Sequence, residues 1–118
     1  MRIGQIILRV DDLDRSIAFW SDTVGFDLTT RAGTFAFLDG DGIQLTLNRV
    51  ESRPVDESLT EIVLEFDDIR SAFSDLSDRG VPFEVSLRPV TTDGARELLA
   101  AHFRDPDGHL ASAVGWVG

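Results

Sequence analysis

The 118-residue chain has no cysteine, which excludes disulfides, thiolate metal sites and cysteine nucleophiles together. Histidine is almost as scarce: His102 and His109 are the only two, too few for a histidine-rich catalytic centre. Basic residues are outnumbered 11 to 21 by acidic ones, and a formal charge of −10 repels phosphate backbones and anionic lipid, so neither nucleic acid nor a membrane is an expected partner. The same acidity gives a well-solvated surface and would suit a cationic ligand. No stretch approaches 18 apolar residues, and Met1 leads straight through Arg2 into an alternating pattern, so the expectation is a cytoplasmic protein. Also missing are a G-x-G-x-x-G turn, a Walker-type loop, a G-x-S-x-G elbow and an H-E-x-x-H pair.

What the chain does contain is a repeat. Residues 7–28, ILRVDDLDRSIAFWSDTVGFDL, recur as residues 63–85, VLEFDDIRSAFSDLSDRGVPFEV. Each copy reads as a strand, an acidic pair, an amphipathic helix, a glycine stop and another strand. In the first strand, Ile6, Leu8 and Val10 share one face and Gln5, Ile7 and Arg9 the other. The first set suits a helix-covered core, and the second a ligand-facing surface. Asp11 or Asp12 caps the first helix, Leu13, Ile17, Trp20 and Val24 form its apolar stripe, and Gly25 stops it. In the second copy Asp68 caps, Ile69, Phe73 and Leu76 make the stripe, and Gly80 stops.

Short strands follow each helix, at about 26–30, 34–38 and 43–49 in copy one and about 83–87, 97–104 and 109–116 in copy two. The turns Asp39-Gly40-Asp41-Gly42 and Asp105-Pro106-Asp107-Gly108 join the last two strands of each copy. The expected fold class is therefore α+β: a single domain over 1–118, built from one β-α-β-β-β module at about 1–50, a hydrophilic linker at about 51–59 and a second module at about 60–118. A half-size module buries too little surface to be comfortable alone, so association within or between chains is expected.

Residues 10–20, VDDLDRSIAFW, with Val24-Gly25-Phe26 and the later Asp105-Pro106-Asp107-Gly108, make the whole arrangement resemble the vicinal oxygen chelate superfamily. That superfamily includes glyoxalase I, bleomycin-resistance proteins, fosfomycin-resistance enzymes and extradiol dioxygenases. The resemblance covers nearly the whole chain and implies curved mixed sheets around a cleft, completed as a rule in a homodimer. Its enzymes hold one divalent metal there at four recurring positions. Carried over residue by residue, those positions fall on Gln5, Gln44, Glu61 and Ser112, with Thr46 replacing Gln44 if the fourth strand slips by two. Two amides, a hydroxyl and one carboxylate make a poor site for a transition metal.

The expectation is thus a protein that binds a small organic ligand, without the usual catalytic metal, in a resistance-type or sequestering role. Its ligand-facing residues are Gln5, Ile7, Arg9, Gln44, Thr46, Asn48, Glu61, Val63, His102, Leu110, Ser112 and Trp116. The resemblance also implies alternatives. One is a metal-dependent lyase or isomerase like glyoxalase I, holding Zn, Ni, Mn or Fe on Gln5, Glu61 and His102; another is a vestigial cleft serving protein association. Candidate catalytic residues are Glu61 and His102. His102 is expected opposite Ser112, where it is a metal ligand, half of an acid/base pair with Glu61, or a structural side chain bonded to a neighbouring strand. Arg9 and Asn48 coincide with positions that hold the glutathione portion in glyoxalases, so Arg9 pairs either with a ligand carboxylate or with Glu65. Trp20 belongs to the core, Trp116 stacks on a ligand or packs in a dimer, and His109 is structural.

Overall fold

A computed structural model describes residues 1–51 and 60–118, so most of the expected linker lies outside the described residues. The described residues form two compact units, one on each side of that segment.

In the first unit, β1 (Gln5–Val10) leads into α1 (Leu13–Ile17), a π-helical segment (Ala18–Val24), β2 (Asp27–Ala32), β3 (Phe35–Asp39) and β4 (Gln44–Arg49). The sheet order is β1-β4-β3-β2, with β1 parallel to β4 and the other pairs antiparallel. The second unit repeats this with β5 (Ile62–Glu65), α2 (Ile69–Asp78), β6 (Phe83–Asp93), β7 (Arg96–Arg104) and β8 (Leu110–Val117), in the order β5-β8-β7-β6. The fold is α+β, as the repeat predicts.

Each core forms where a helix stripe meets one face of its sheet. Leu8, Val10, Ala36, Leu38, Leu45 and Leu47 are buried in the first unit together with Leu13, Trp20 and Val24. Trp20 is fully buried and packs edge-on against Phe19. In the second unit Ile69 and Leu76 are buried with Leu99, Ala101, Phe103, Ala111 and Ala113, and Phe73, Phe83 and Phe103 form a chain of ring contacts. At Gly115 the helix comes so close that an added Cβ would lie 2.7 Å from the Ile69 Cβ and from the Phe66 carbonyl oxygen.

Of the two candidate caps, Asp12 performs the role, its Oδ1 accepting from the Arg15 amide at 3.1 Å; Asp68 does the same for Ser71. The first helix departs from the expected regular α-helix. From cap to glycine stop it has fourteen residues, Asp12 to Gly25, where the second copy has thirteen, Asp68 to Gly80. The extra residue is taken up as π-helix, in which the Gly25 amide reaches back five residues to the Trp20 carbonyl at 3.1 Å. Along this helix Ser16 is fully buried and Ile17 only half-buried, so the stripe runs through Leu13, Ser16, Trp20 and Val24 rather than through Ile17.

Two strand boundaries also differ from expectation. The strand after α1 begins at Asp27 and runs to Ala32, while Phe26 packs on Trp20 at 6.2 Å between ring centres. β6 continues well past Leu87 to Asp93, through Pro89. A proline suggests a stop, but β6 is an edge strand with irregular register on either side of Pro89, where a missing amide is tolerated. Gly33 and Gly94, with φ of +60° and +62°, close the two-residue hairpins that join β2 to β3 and β6 to β7.

Candidate functional site

The strand pairing sets the candidate residues of the first unit into rows on the sheet face opposite its buried core. Parallel pairing places Gln5 beside Gln44, Ile7 beside Thr46 and Arg9 beside Asn48. Antiparallel pairing then adds Phe37 beside Thr46 and Phe35 beside Asn48. The middle row is Ile7, Thr46 and Phe37, with Phe35 stacked on Phe37 at 6.0 Å and 5° between ring planes. Ile7 is 48% exposed, while Leu8 and Val10 are buried. This face is therefore an open apolar strip with polar groups at both ends.

At one end three side chains close on each other. The Thr46 hydroxyl donates to the Gln5 Oε1 at 2.7 Å, and the Gln44 amide nitrogen donates to the same oxygen at 3.3 Å and to the Thr46 oxygen at 3.1 Å. Thr46 is fully buried despite its place on the open face, because Gln5 and Gln44 fold over it. The Gln5 oxygen, the atom that would face a cation, already accepts two hydrogen bonds. At the other end the Asn48 Oδ1 accepts from the Thr34 hydroxyl at 2.9 Å, which leaves its amide nitrogen as the available group. Arg9 lies opposite, exposed and in no ion pair among the described residues.

The second unit repeats the plan with different chemistry. Val63 pairs with Ser112, and Ser112 with His102, so these three form a row, as expected for His102 and Ser112. The His102 Nδ1 lies 3.1 Å from the Glu61 Oε2, with both side chains partly exposed. Ser112 is buried and Val63 is 54% exposed. Ile7 and Val63 occupy equivalent places, each three residues before the end of its strand motif, so the partner of Ser112 under the internal repeat is Thr46 and not Gln44.

Trp116 pairs with Leu98 in the register, and its ring carries the Arg96 guanidinium 4.5 Å from its centroid. A cation over the indole takes up the surface that stacking on a ligand would use. Leu110, half-buried, begins β8 one residue beyond the Asp105-Pro106-Asp107-Gly108 turn, after His109. In that turn the Gly108 amide donates to the Asp105 carbonyl at 3.0 Å and Gly108 has φ of +90°, as a tight turn ending in a glycine bulge requires. His109 is structural, its Nδ1 lying 2.7 Å from the Asp105 carboxylate, whose other oxygen accepts from the Asp107 and His109 amides.

These donors do not suit a divalent transition metal. The first unit supplies neutral amides and a hydroxyl that satisfy one another, and the second supplies one carboxylate and one imidazole bonded together. Among the described residues no three His, Asp or Glu side chains converge as ligands. Phe35 and Phe37 escaped the sequence reading, although the alternation Phe35-Ala36-Phe37-Leu38 carries them: the two phenylalanines must face away from buried Ala36 and Leu38.

Comparison with known proteins gives a family match along most of the chain. The model of the Glyoxalase/Bleomycin resistance protein/Dioxygenase superfamily matches residues 2–112. Metallothiol transferase FosB of Lysinibacillus sphaericus is 28% identical over 110 residues, covering 91% of this chain and 77% of that protein. Virulence protein STM3117 of Salmonella typhimurium is 26% identical over 124 residues, covering 98% of this chain and 85% of that protein. Among solved structures, a glyoxalase/bleomycin resistance protein/dioxygenase from Alicyclobacillus acidocaldarius superposes with a TM-score of 0.81 at 20% identity, over 99% of this chain and 92% of that one, a likeness of fold alone.

Proposed function

The chain belongs to the Glyoxalase/Bleomycin resistance protein/Dioxygenase superfamily, and on that footing we propose that it binds a small organic ligand without an obligatory metal. Membership leaves the chemistry open, since one fold carries many activities and the site decides among them. The observation that carries the reading is the closed set of Gln5, Thr46 and Gln44. A cation at Gln5 would have to displace two hydrogen bonds and would gain a neutral amide oxygen in exchange.

The open faces support the binding half of the reading. Ile7, Phe35 and Phe37 offer an apolar strip, and covering the exposed half of one aliphatic side chain is worth about 1 kcal/mol. Arg9 and the Asn48 amide nitrogen stand beside the strip as hydrogen-bond donors, while Glu61 and His102 offer a carboxylate and an imidazole in the second unit. A sequestering role suits such surfaces, because they orient a ligand without presenting an activated nucleophile. Homodimer formation is part of the proposal.

The test is elemental analysis and native mass spectrometry of the protein as purified, followed by titration with Zn, Ni, Mn and Fe. The expected outcome is a dimer with substoichiometric metal and no tight uptake. One tightly held metal ion per chain, surviving exhaustive dialysis, would overturn the proposal.

A further inference from the structure

Beside the Asp39-Gly40-Asp41-Gly42 turn of the first unit lies an open surface pocket of about 240 Å³, whose lining includes Arg2, Gly4, Thr29, Asp39, Gly42 and Gln44. Its walls carry two opposite charges that do not neutralise each other: Arg2 and Asp39 make no ion pair among the described residues. Asp39 uses one carboxylate oxygen, Oδ1, to accept the Asp41 amide at 2.9 Å, and its Oδ2 accepts no hydrogen bond among the described residues. Gln44 commits its amide nitrogen to Gln5 and Thr46, so the group it has left is the acceptor oxygen. The Thr29 hydroxyl donates to the Phe37 carbonyl at 2.9 Å, and the Gly4 carbonyl accepts from the Gln44 backbone N–H at 3.2 Å. Among the described residues the groups left without a partner here are therefore a guanidinium donor, a carboxylate acceptor and an amide acceptor.

From this arrangement we infer that the pocket is a subsite for a small zwitterion of the α-amino-acid class. The ligand carboxylate meets Arg2, and the ligand ammonium meets Asp39 Oδ2 and the Gln44 oxygen. A simple anion is disfavoured by Asp39 and a simple cation by Arg2, whereas a molecule with both charges satisfies both walls. The volume is below the roughly 300 Å³ of the smallest drug-sized pockets, which fits a compact metabolite. The inference goes beyond the ligand-binding face described above and shares only Gln44 with it.

The test uses L-alanine as probe, with propionate and ethylamine as its singly charged counterparts, followed by amide chemical-shift mapping on the full chain. Alanine is expected to bind saturably and shift the amides of Gly4, Thr29, Gly42 and Gln44, with each counterpart binding about tenfold or more weakly. Arg2→Gln and Asp39→Asn are each expected to cost a similar factor. Both side chains are on the surface, and Asp39→Asn keeps an acceptor for the Asp41 amide, so both variants stay folded. Equal binding of propionate or ethylamine, unchanged affinity in either variant, shifts elsewhere, or no saturable binding of alanine would each overturn the inference. None of these results bears on metal content, so this inference and the metal-free proposal fail separately.

Discussion

Replacing Thr46 by valine tests the closed amide network directly. Valine keeps the shape of the fully buried threonine and deletes only the hydroxyl, which donates to Gln5 at 2.7 Å and accepts from Gln44 at 3.1 Å. Each net hydrogen bond is worth about 1 kcal/mol. The Gln44-to-Gln5 contact at 3.3 Å survives the change, and Gln5 is exposed enough to turn its amide to water. The expected loss is therefore nearer 1 than 2 kcal/mol. Thr46→Ser supplies the control, because it keeps the hydroxyl and removes a buried methyl at a cost of about 1 kcal/mol. Stability alone barely separates the two, so the assay pairs urea denaturation with the side-chain amide signals of Gln5 and Gln44. Those signals should move toward free-solvent positions in Thr46→Val and stay in place in Thr46→Ser. A Thr46→Val protein as stable as the wild type, with both glutamine signals unmoved, would refute the network and remove the main support for a metal-free site.

Three further substitutions probe the scaffold and the second unit. Gly115→Ala forces a Cβ to within 2.7 Å of Ile69 and of the Phe66 carbonyl, so it should cost about 1–3 kcal/mol and lower the melting temperature by several degrees; an unchanged melting temperature would mean α2 does not sit so close to β8. Ser16→Ala should stabilise the protein by about 1 kcal/mol, because the Ser16 hydroxyl is buried without a hydrogen-bond partner among the described residues and alanine is the better helix former; a destabilised variant would reveal a partner for that hydroxyl. A double-mutant cycle on Glu61→Gln and His102→Gln, read by chemical denaturation, should give a coupling of about 0.5–1 kcal/mol, reduced from that of a buried pair by the partial exposure of both side chains; zero coupling would mean the two do not interact in solution.

The repeat made most of the fold legible because caps, stripes and stops act locally. Asp12, Asp68, Gly25 and Gly80 perform the roles their positions suggest. Departures came where one residue changed a phase or where tertiary context overrode a local signal. The extra residue before Gly25 is visible in the repeat, but only the hydrogen bonding shows that it is absorbed as π-helix and that Ser16, not Ile17, faces the core. Pro89 signals a strand end, yet an edge position tolerates it and β6 runs on to Asp93.

The site was legible as a set of faces and not as a set of bonds. Period-two alternation alone placed Gln5, Ile7 and Arg9 together, and the turn chemistry of Asp105-Pro106-Asp107-Gly108 placed His102 opposite Ser112. Which atoms remain free cannot be read from alternation, because it depends on how side chains satisfy one another across strands far apart in sequence. Gln5 and Thr46 are separated by 41 residues, yet their contact at 2.7 Å decides what the Gln5 oxygen can still accept. The same holds for Asn48, whose oxygen is taken by Thr34, and for Trp116, whose ring is covered by Arg96. In each case an unsatisfied group, more than a residue type, marks where a ligand can enter. By that criterion the first unit offers Arg9, the Asn48 amide nitrogen and the Phe35–Phe37 strip, and it withholds the Gln5 oxygen that a metal would need.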